Sequence, residues 1–221
     1  MSHLKPWIST DHVWVGEKRH YLTPIGALPG VTTILSSTKE DPGLQRWREW
    51  VGDAEAERVR MTAAQRGTWV HSRVEEWFSW QEVKTDSDGS DIALPFWESI
   101  KKFLPSVEEY LYMEATVWHP KGYAGSFDFL GKVDGLLTLC DWKTSNKKRT
   151  KSRLADYRLQ IGAYVQAIEH LSSFRVEQGI IAIGVPEQDP QVVRMNRQEI
   201  EEAIAGFNSR LSAYQIATTG F

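Results

Sequence analysis

The sequence predicts an α/β protein, with helices sandwiching a mixed central sheet and a hairpin in front. Three observations predict it. Short apolar stretches bounded by turn residues recur between Val107 and Met195, as buried strands require. Apolar residues at helical spacing fill the segments before, between and after those stretches. The order is helices, three antiparallel strands, a helix, a strand with a shorter one beside it, and a last helix, which suits helices packed around one sheet.

The elements follow in order. Residues 12–15 and 19–22 read as a hairpin turning at Gly16 and Glu17, and 23–30 as a Gly- and Pro-punctuated connection. Val31–Ser37 is read as a helix: its β-branched residues favour a strand, but it leads into a helical region. Pro42 fits a first turn, and Trp47 and Trp50 share a face of the helix it begins. A long helix over 54–80 carries Val59, Met61, Trp69, Val70, Val74 and Trp77, and 85–90 is a polar loop. A helix over 94–103 ends at Pro105, and a strand over 107–118 turns at Pro120 to Gly122. Beyond the central hairpin come a helix over 153–171, strands over 178–185 and 191–195, and a helix over 197–217.

At 221 residues and 41% hydrophobic content the expectation is one domain: 1–53 an elaboration, 54–196 the core, 197–221 a closing helix. No apolar run approaches the roughly 18 residues of a membrane span. The opening MSHLKPW has neither a signal nor a transit pattern, so a cytoplasmic protein of bacterial or phage type, with no membrane partner, is expected. Cys140 is the single cysteine, which rules out an internal disulfide and a cysteine cluster.

The chemistry gathers in the hairpin that turns near Asp134 and Gly135. The run Leu137 to Cys140 suits a buried strand and ends in Asp141, Trp142 and Lys143. Residues two apart in a strand share a face, so Asp141 and Lys143 point together, and Asp128 on the preceding strand falls beside them. Two carboxylates converging at a strand end make a site for a hard cation. Net charge is −3, yet residues 143–158 hold seven basic side chains against one acid, a local +6 that leaves −9 elsewhere. A cationic run is ordinarily a solvated loop, but one beginning on Lys143 suits a phosphate backbone. Upstream, Gly67, His71 and Glu75 are four apart on one helix stripe, where Glu75 is placed to fix the His71 ring. Glu114 sits on the strand before the hairpin, and Gln160 and Tyr164 lie one turn apart on the helix after the basic loop.

Taken together, these motifs resemble the PD-(D/E)XK nuclease superfamily, in particular its RecB-like branch, and are similar to the mitochondrial genome maintenance exonuclease family. The likeness runs from about Pro29 to His170, through PGVTTIL, Gly67 to Glu75, Glu114, Tyr123 to Asp128, DWKTS and Leu159 to Tyr164. Ser126 and Phe127 stand where the superfamily name has a proline. The resemblance implies a restriction-endonuclease-like core and a metal-dependent exonuclease acting on single-stranded DNA ends. A structure-specific endonuclease and a non-catalytic DNA-binding module remain alternatives. It further implies Mg²⁺ or Mn²⁺ held by Asp128, Asp141, the Trp142 carbonyl and His71, with Lys143 orienting water. Gln160 would position Lys143 or a phosphate and Tyr164 would buttress it, while Glu75 and Glu114 give support. Thr144, Ser145, Lys147, Lys148, Arg149, Lys151 and Arg153, with Tyr164, would contact the strand. Partners of such an enzyme would be DNA with single-stranded ends and a separate helicase, polymerase or recombination protein.

Overall fold

The computed structural model describes residues 12–16, 18–79 and 90–219. Strands β1 (His12–Val15), β2 (Lys18–Thr23) and β3 (Gly26–Pro29) form a small antiparallel sheet in that order. β3 departs from the sequence reading, which took 23–30 as punctuation. Gly26 turns the chain at φ +115°, and Pro29 pairs only at the strand's end, where a missing N–H costs the ladder little.

Helices α1 (Val31–Ser37) and α2 (Pro42–Val51) follow. The Asp41 side chain caps α2 by accepting from the Leu44 N–H at 2.9 Å. After Gly52, at φ +82°, comes α3 (Asp53–Phe78). Its apolar residues divide against expectation. Val70 and Val74 are buried, but Val59 and Met61 are 39% and 51% exposed, because the first half of the helix has no sheet beneath it to cover them. The polar loop expected at 85–90 lies outside the described residues up to Ser90, where α4 (Ser90–Lys101) begins, earlier than its apolar pattern, with Asp91 in its first turn.

The main sheet holds β4 (Val107–His119), β5 (Tyr123–Val133), β6 (Leu136–Thr144), β7 (Gln178–Gly184) and β8 (Gln191–Met195), in the order 4-5-6-7-8. Only β6 and β7 run parallel, so they need a crossover, which α5 (Ala155–Leu171) supplies. α6 (Arg197–Thr219) closes the chain. On one face α1, α5 and α6 pack Ile34, Ile161, Val165 and Phe207 against Phe127, Leu139, Ile181 and Ile183. On the other, α3 and α4 pack Val70, Val74, Trp97 and Ile100 against Phe129, Cys140, Trp142 and Ile180. Each such large side chain contributes roughly 1.5–3 kcal/mol by leaving water.

Strict alternation holds along β6: Leu137 and Leu139 face α5, Cys140 and Trp142 face α4. It fails in the next two strands at one place. In β5 Phe127 packs on the α5 side and Phe129 on the other; in β4 Ala115 packs on the α5 side and Met113 on the other. The reversals fall at Asp128 and at Glu114, which takes φ +47°.

Candidate active site

The break in the sheet builds the site. The β5–β6 ladder ends at the Phe129–Cys140 pair, and the Asp128 side chain takes over, accepting the Trp142 N–H at 2.7 Å through Oδ2. The two strands thus part around Asp128 and Asp141, buried at 9% and 1% exposure, as the period-two reading of the hairpin expects. Lys143 comes to the same face as Asp141. Its ammonium lies 2.7 Å from both carboxylate oxygens, donating a hydrogen bond to Oδ1. The buried Oδ2 receives no hydrogen bond. Burial pushes the Asp141 carboxyl up, to about 6, against the pull of Lys143. Burial lowers the Lys143 pKa less than Asp141 and Asp128 raise it, so the amine is held above its ordinary value.

His71 reaches this point from α3, on the opposite side of the sheet from α5. Nε2 donates to the Trp142 carbonyl at 2.9 Å and lies 3.7 Å from Asp128 Oδ2. Nδ1 lies 3.3 Å from Glu114 Oε1. Burial works against the charged ring, but Asp128 and Glu114 outweigh it and raise the pKa to about 9, so both nitrogens act as donors. Glu114 therefore fixes the ring, in the role expected for Glu75. Glu75 lines an open cleft with Gly67, Thr68, His71, Ser72 and Glu114, where burial and the neighbouring Glu114 raise its pKa.

The donor set fits a divalent cation. One ligand atom each from His71, Glu114 and Asp128 lie within 4.8 Å of one another, and the Trp142 carbonyl borders them. Asp141 is not in that trio, because its carboxylate is turned to Lys143, and Glu114 stands closer to the ligand role than the sequence suggested.

From α5, Gln160 Nε2 donates to the Tyr164 hydroxyl at 3.4 Å, which suits the buttress expected of that pair. Tyr164 does not fit the expected contact with nucleic acid. It is 4% exposed in the α5-side core, pressed on Gly125, where a Cβ would meet its ring at 2.8 Å. Ser145 is likewise buried, its hydroxyl donating to the Lys147 carbonyl at 2.6 Å, which makes it a turn-former rather than a surface contact. Lys147, Lys148, Lys151 and Arg153 are exposed, Arg149 is half-buried, and Thr144 accepts from Arg66 Nε at 3.0 Å.

Two residues escaped the sequence reading. Tyr157, one turn before Gln160, puts its ring 5.3 Å from the Lys143 ammonium, and its place on the Gln160 and Tyr164 stripe is the signal that points to it. Arg66 joins the loop after β6 through Thr144 and Asn146, and nothing in its local sequence marks it out.

Residues 122–218 match the family model of the PD-(D/E)XK nuclease superfamily. Mitochondrial genome maintenance exonuclease 1 of Homo sapiens is 27% identical over 174 residues, covering 74% of this chain and 51% of the relative. Its Mus musculus counterpart is 30% identical over 176 residues, covering 74% of this chain and 52% of that protein. The chain spans about half the length of the curated relatives it matches. A solved structure from Eubacterium rectale aligns over 70% of this chain and 68% of that one, with TM-score 0.48 at 14% identity. None of the described helices is long and apolar enough to cross a membrane.

Proposed function

We propose that this chain, in which residues 122–218 carry the PD-(D/E)XK nuclease superfamily match, is a metal-dependent deoxyribonuclease that removes nucleotides from single-stranded DNA ends. One observation carries the reading: Asp128, Asp141 and Lys143 meet where β5 and β6 part, with His71 and Glu114 closing the cluster. Asp128, His71 and the Trp142 carbonyl would hold Mg²⁺ or Mn²⁺, with Asp141 and Glu114 beside them. The cation, when bound, supplies charge neutralisation at the scissile phosphate and acidifies the attacking water.

The chain's own groups do the positioning. Asp141 holds the Lys143 ammonium in place, and Lys143 is then aimed to orient water and to stabilise the charge that develops on the phosphate. Tyr157 limits where that ammonium moves, and the Gln160–Tyr164 pair walls the site from the α5 side. Lys147, Lys148, Lys151 and Arg153 present a cationic edge to the strand. The relatives are named genome maintenance exonucleases, which supports action at ends and a role in DNA repair, recombination or genome processing. A separate helicase, polymerase or recombination partner would deliver such ends.

The deciding experiment compares linear and circular single-stranded DNA in Mg²⁺, in Mn²⁺ and in EDTA, with Lys143→Ala alongside. Metal-dependent loss of the linear strand only, abolished in the variant, is expected. Rapid cutting of the circle makes the protein an endonuclease, and full activity in Lys143→Ala removes the assignment.

A further inference from the structure

Past Lys143, the start of α3 and the loop after β6 enclose a second cleft of about 430 Å³, bordered by Arg58, Arg66, Asn146, Lys147 and Arg149. Three arginines and a lysine line it, and no acidic residue is among the described residues that do. Arg66 enters already oriented. Its guanidinium lies 4.2 Å from the centre of the Phe96 ring, Nε donates to Thr144 Oγ1 at 3.0 Å and Nη1 to Asn146 Oδ1 at 3.3 Å. Thr144 directly follows Lys143, so this bond ties the cleft to the strand that carries the chemistry.

Arg149 is fixed by its backbone. Its N–H donates to Gln191 Oε1 at 2.6 Å and its carbonyl accepts from Gln191 Nε2 at 2.9 Å, while the side-chain Nε is buried with no hydrogen bond. Burial, then the charge of the nearby Arg149, lower the Arg66 pKa. Like charges held together beside a buried, unmet donor are relieved by an anion with several acceptor oxygens. Arg58 is more exposed and pairs with Glu55 at 2.7 Å, so it forms the rim.

We propose that this cleft is a phosphate subsite, in which Arg66 and Arg149 grip a phosphate of the bound strand beside the one being cut. Arg66 precedes His71 by five residues of α3, about 7.5 Å along the axis, so the cleft neighbours the His71 cluster along the same helix. The cleft then sets how far the strand advances past the metal-binding cluster. The inference rests on the nuclease reading and adds the place where the strand is registered. The phosphate is either a terminal monoester or an internal diester, and the chemistry of the grip is the same.

The test measures binding of a short fluorescent single-stranded DNA in EDTA over a range of KCl, and steady-state cleavage in Mn²⁺, for wild type, Arg149→Gln and Arg66→Gln. Each substitution is expected to lower the slope of log affinity against log salt by about one phosphate contact and to raise KM about tenfold, with kcat changed far less. If Arg66→Gln fails to fold, Arg66→Lys replaces it: keeping the charge but not the planar fork, it should raise KM with the salt slope kept, and an unchanged KM in it counts against the grip. Strands ending in 5′-phosphate, 3′-phosphate or hydroxyl separate the sources: loss confined to one phosphorylated end places a terminal group in the cleft, and equal loss on all places an internal one. Unchanged slope and KM in variants that melt like wild type overturn the subsite alone. A chain that binds with the expected slopes but cuts no DNA in any metal overturns the nuclease reading and leaves the subsite standing.

Discussion

Glu114 and Asp128 lie side by side where two neighbouring strands reverse their inside–outside alternation together, and both carboxylates come within 4.8 Å of a ring nitrogen of His71. Reversing both strands at once keeps them paired, since Met113 still meets Phe129 and Ala115 meets Phe127, while two acids are freed to face the same point. The cost is borne by Glu114, held in the left-handed region at φ +47°.

That strain predicts an unusual order of stability. Glu114→Gly is expected to be more stable than Glu114→Ala by about 1 kcal/mol, because only glycine adopts this φ freely. Both lose the acid that orients His71, so cleavage falls in both. Urea unfolding checks the order, and an alanine variant as stable as the glycine one means that the strain is not there.

Asp128→Asn keeps an oxygen for the Trp142 N–H and so is expected to melt within a few degrees of wild type. Removing the charge from the cation's cradle should lower kcat by about a thousandfold, in line with the several kcal/mol such an ion supplies. Near-normal cleavage by a folded Asn variant places the cation elsewhere.

Gly125→Ala is expected to destabilise the protein by about 1–3 kcal/mol, since its methyl would press into the Tyr164 ring. A loss of activity larger than the loss of folded protein would follow from moving Gln160. Thermal melting and single-turnover cleavage measured together separate the two effects.

In EDTA, stability should fall as pH rises. His71 has its pKa raised to about 9, so the stability that its proton brings is complete below about 6.5 and is lost as pH climbs through 9. Asp141 acts in the same direction lower down. Its carboxyl is raised to about 6, so the native state holds a proton that the unfolded chain releases from about pH 4 upward. Together they make melting temperature decline from pH 5 to 9, and His71→Gln should flatten the upper part of that decline. Binding of Mn²⁺, which must displace the His71 proton, should tighten over the same upper range. A flat profile in the wild type contradicts the raised His71 pKa.

Much of the hairpin that carries the candidate site is legible in the residues. Strand periodicity alone put Asp141 and Lys143 on one face, and the turn at Asp134 and Gly135 brought Asp128 beside them. Helical spacing likewise placed Gln160 and Tyr164 on one stripe of α5. The small β3 strand was missed because glycine and proline read as breakers even where an edge strand tolerates them. Glu75 is the partner the sequence offers His71, because only neighbours along one helix are visible in sequence.

What the sequence by itself determined is the chemistry available at the end of β6 and the elements that carry it, because period and turn chemistry are local. Only the tertiary structure decided the company that chemistry keeps: His71 reaching across the sheet to the Trp142 carbonyl, Glu114 turned inward by the paired reversal, Tyr164 buried on Gly125, and Arg66 bonded to Thr144. Those contacts join residues far apart in the chain, and how they meet is settled by packing two cores against one sheet, which no local pattern encodes.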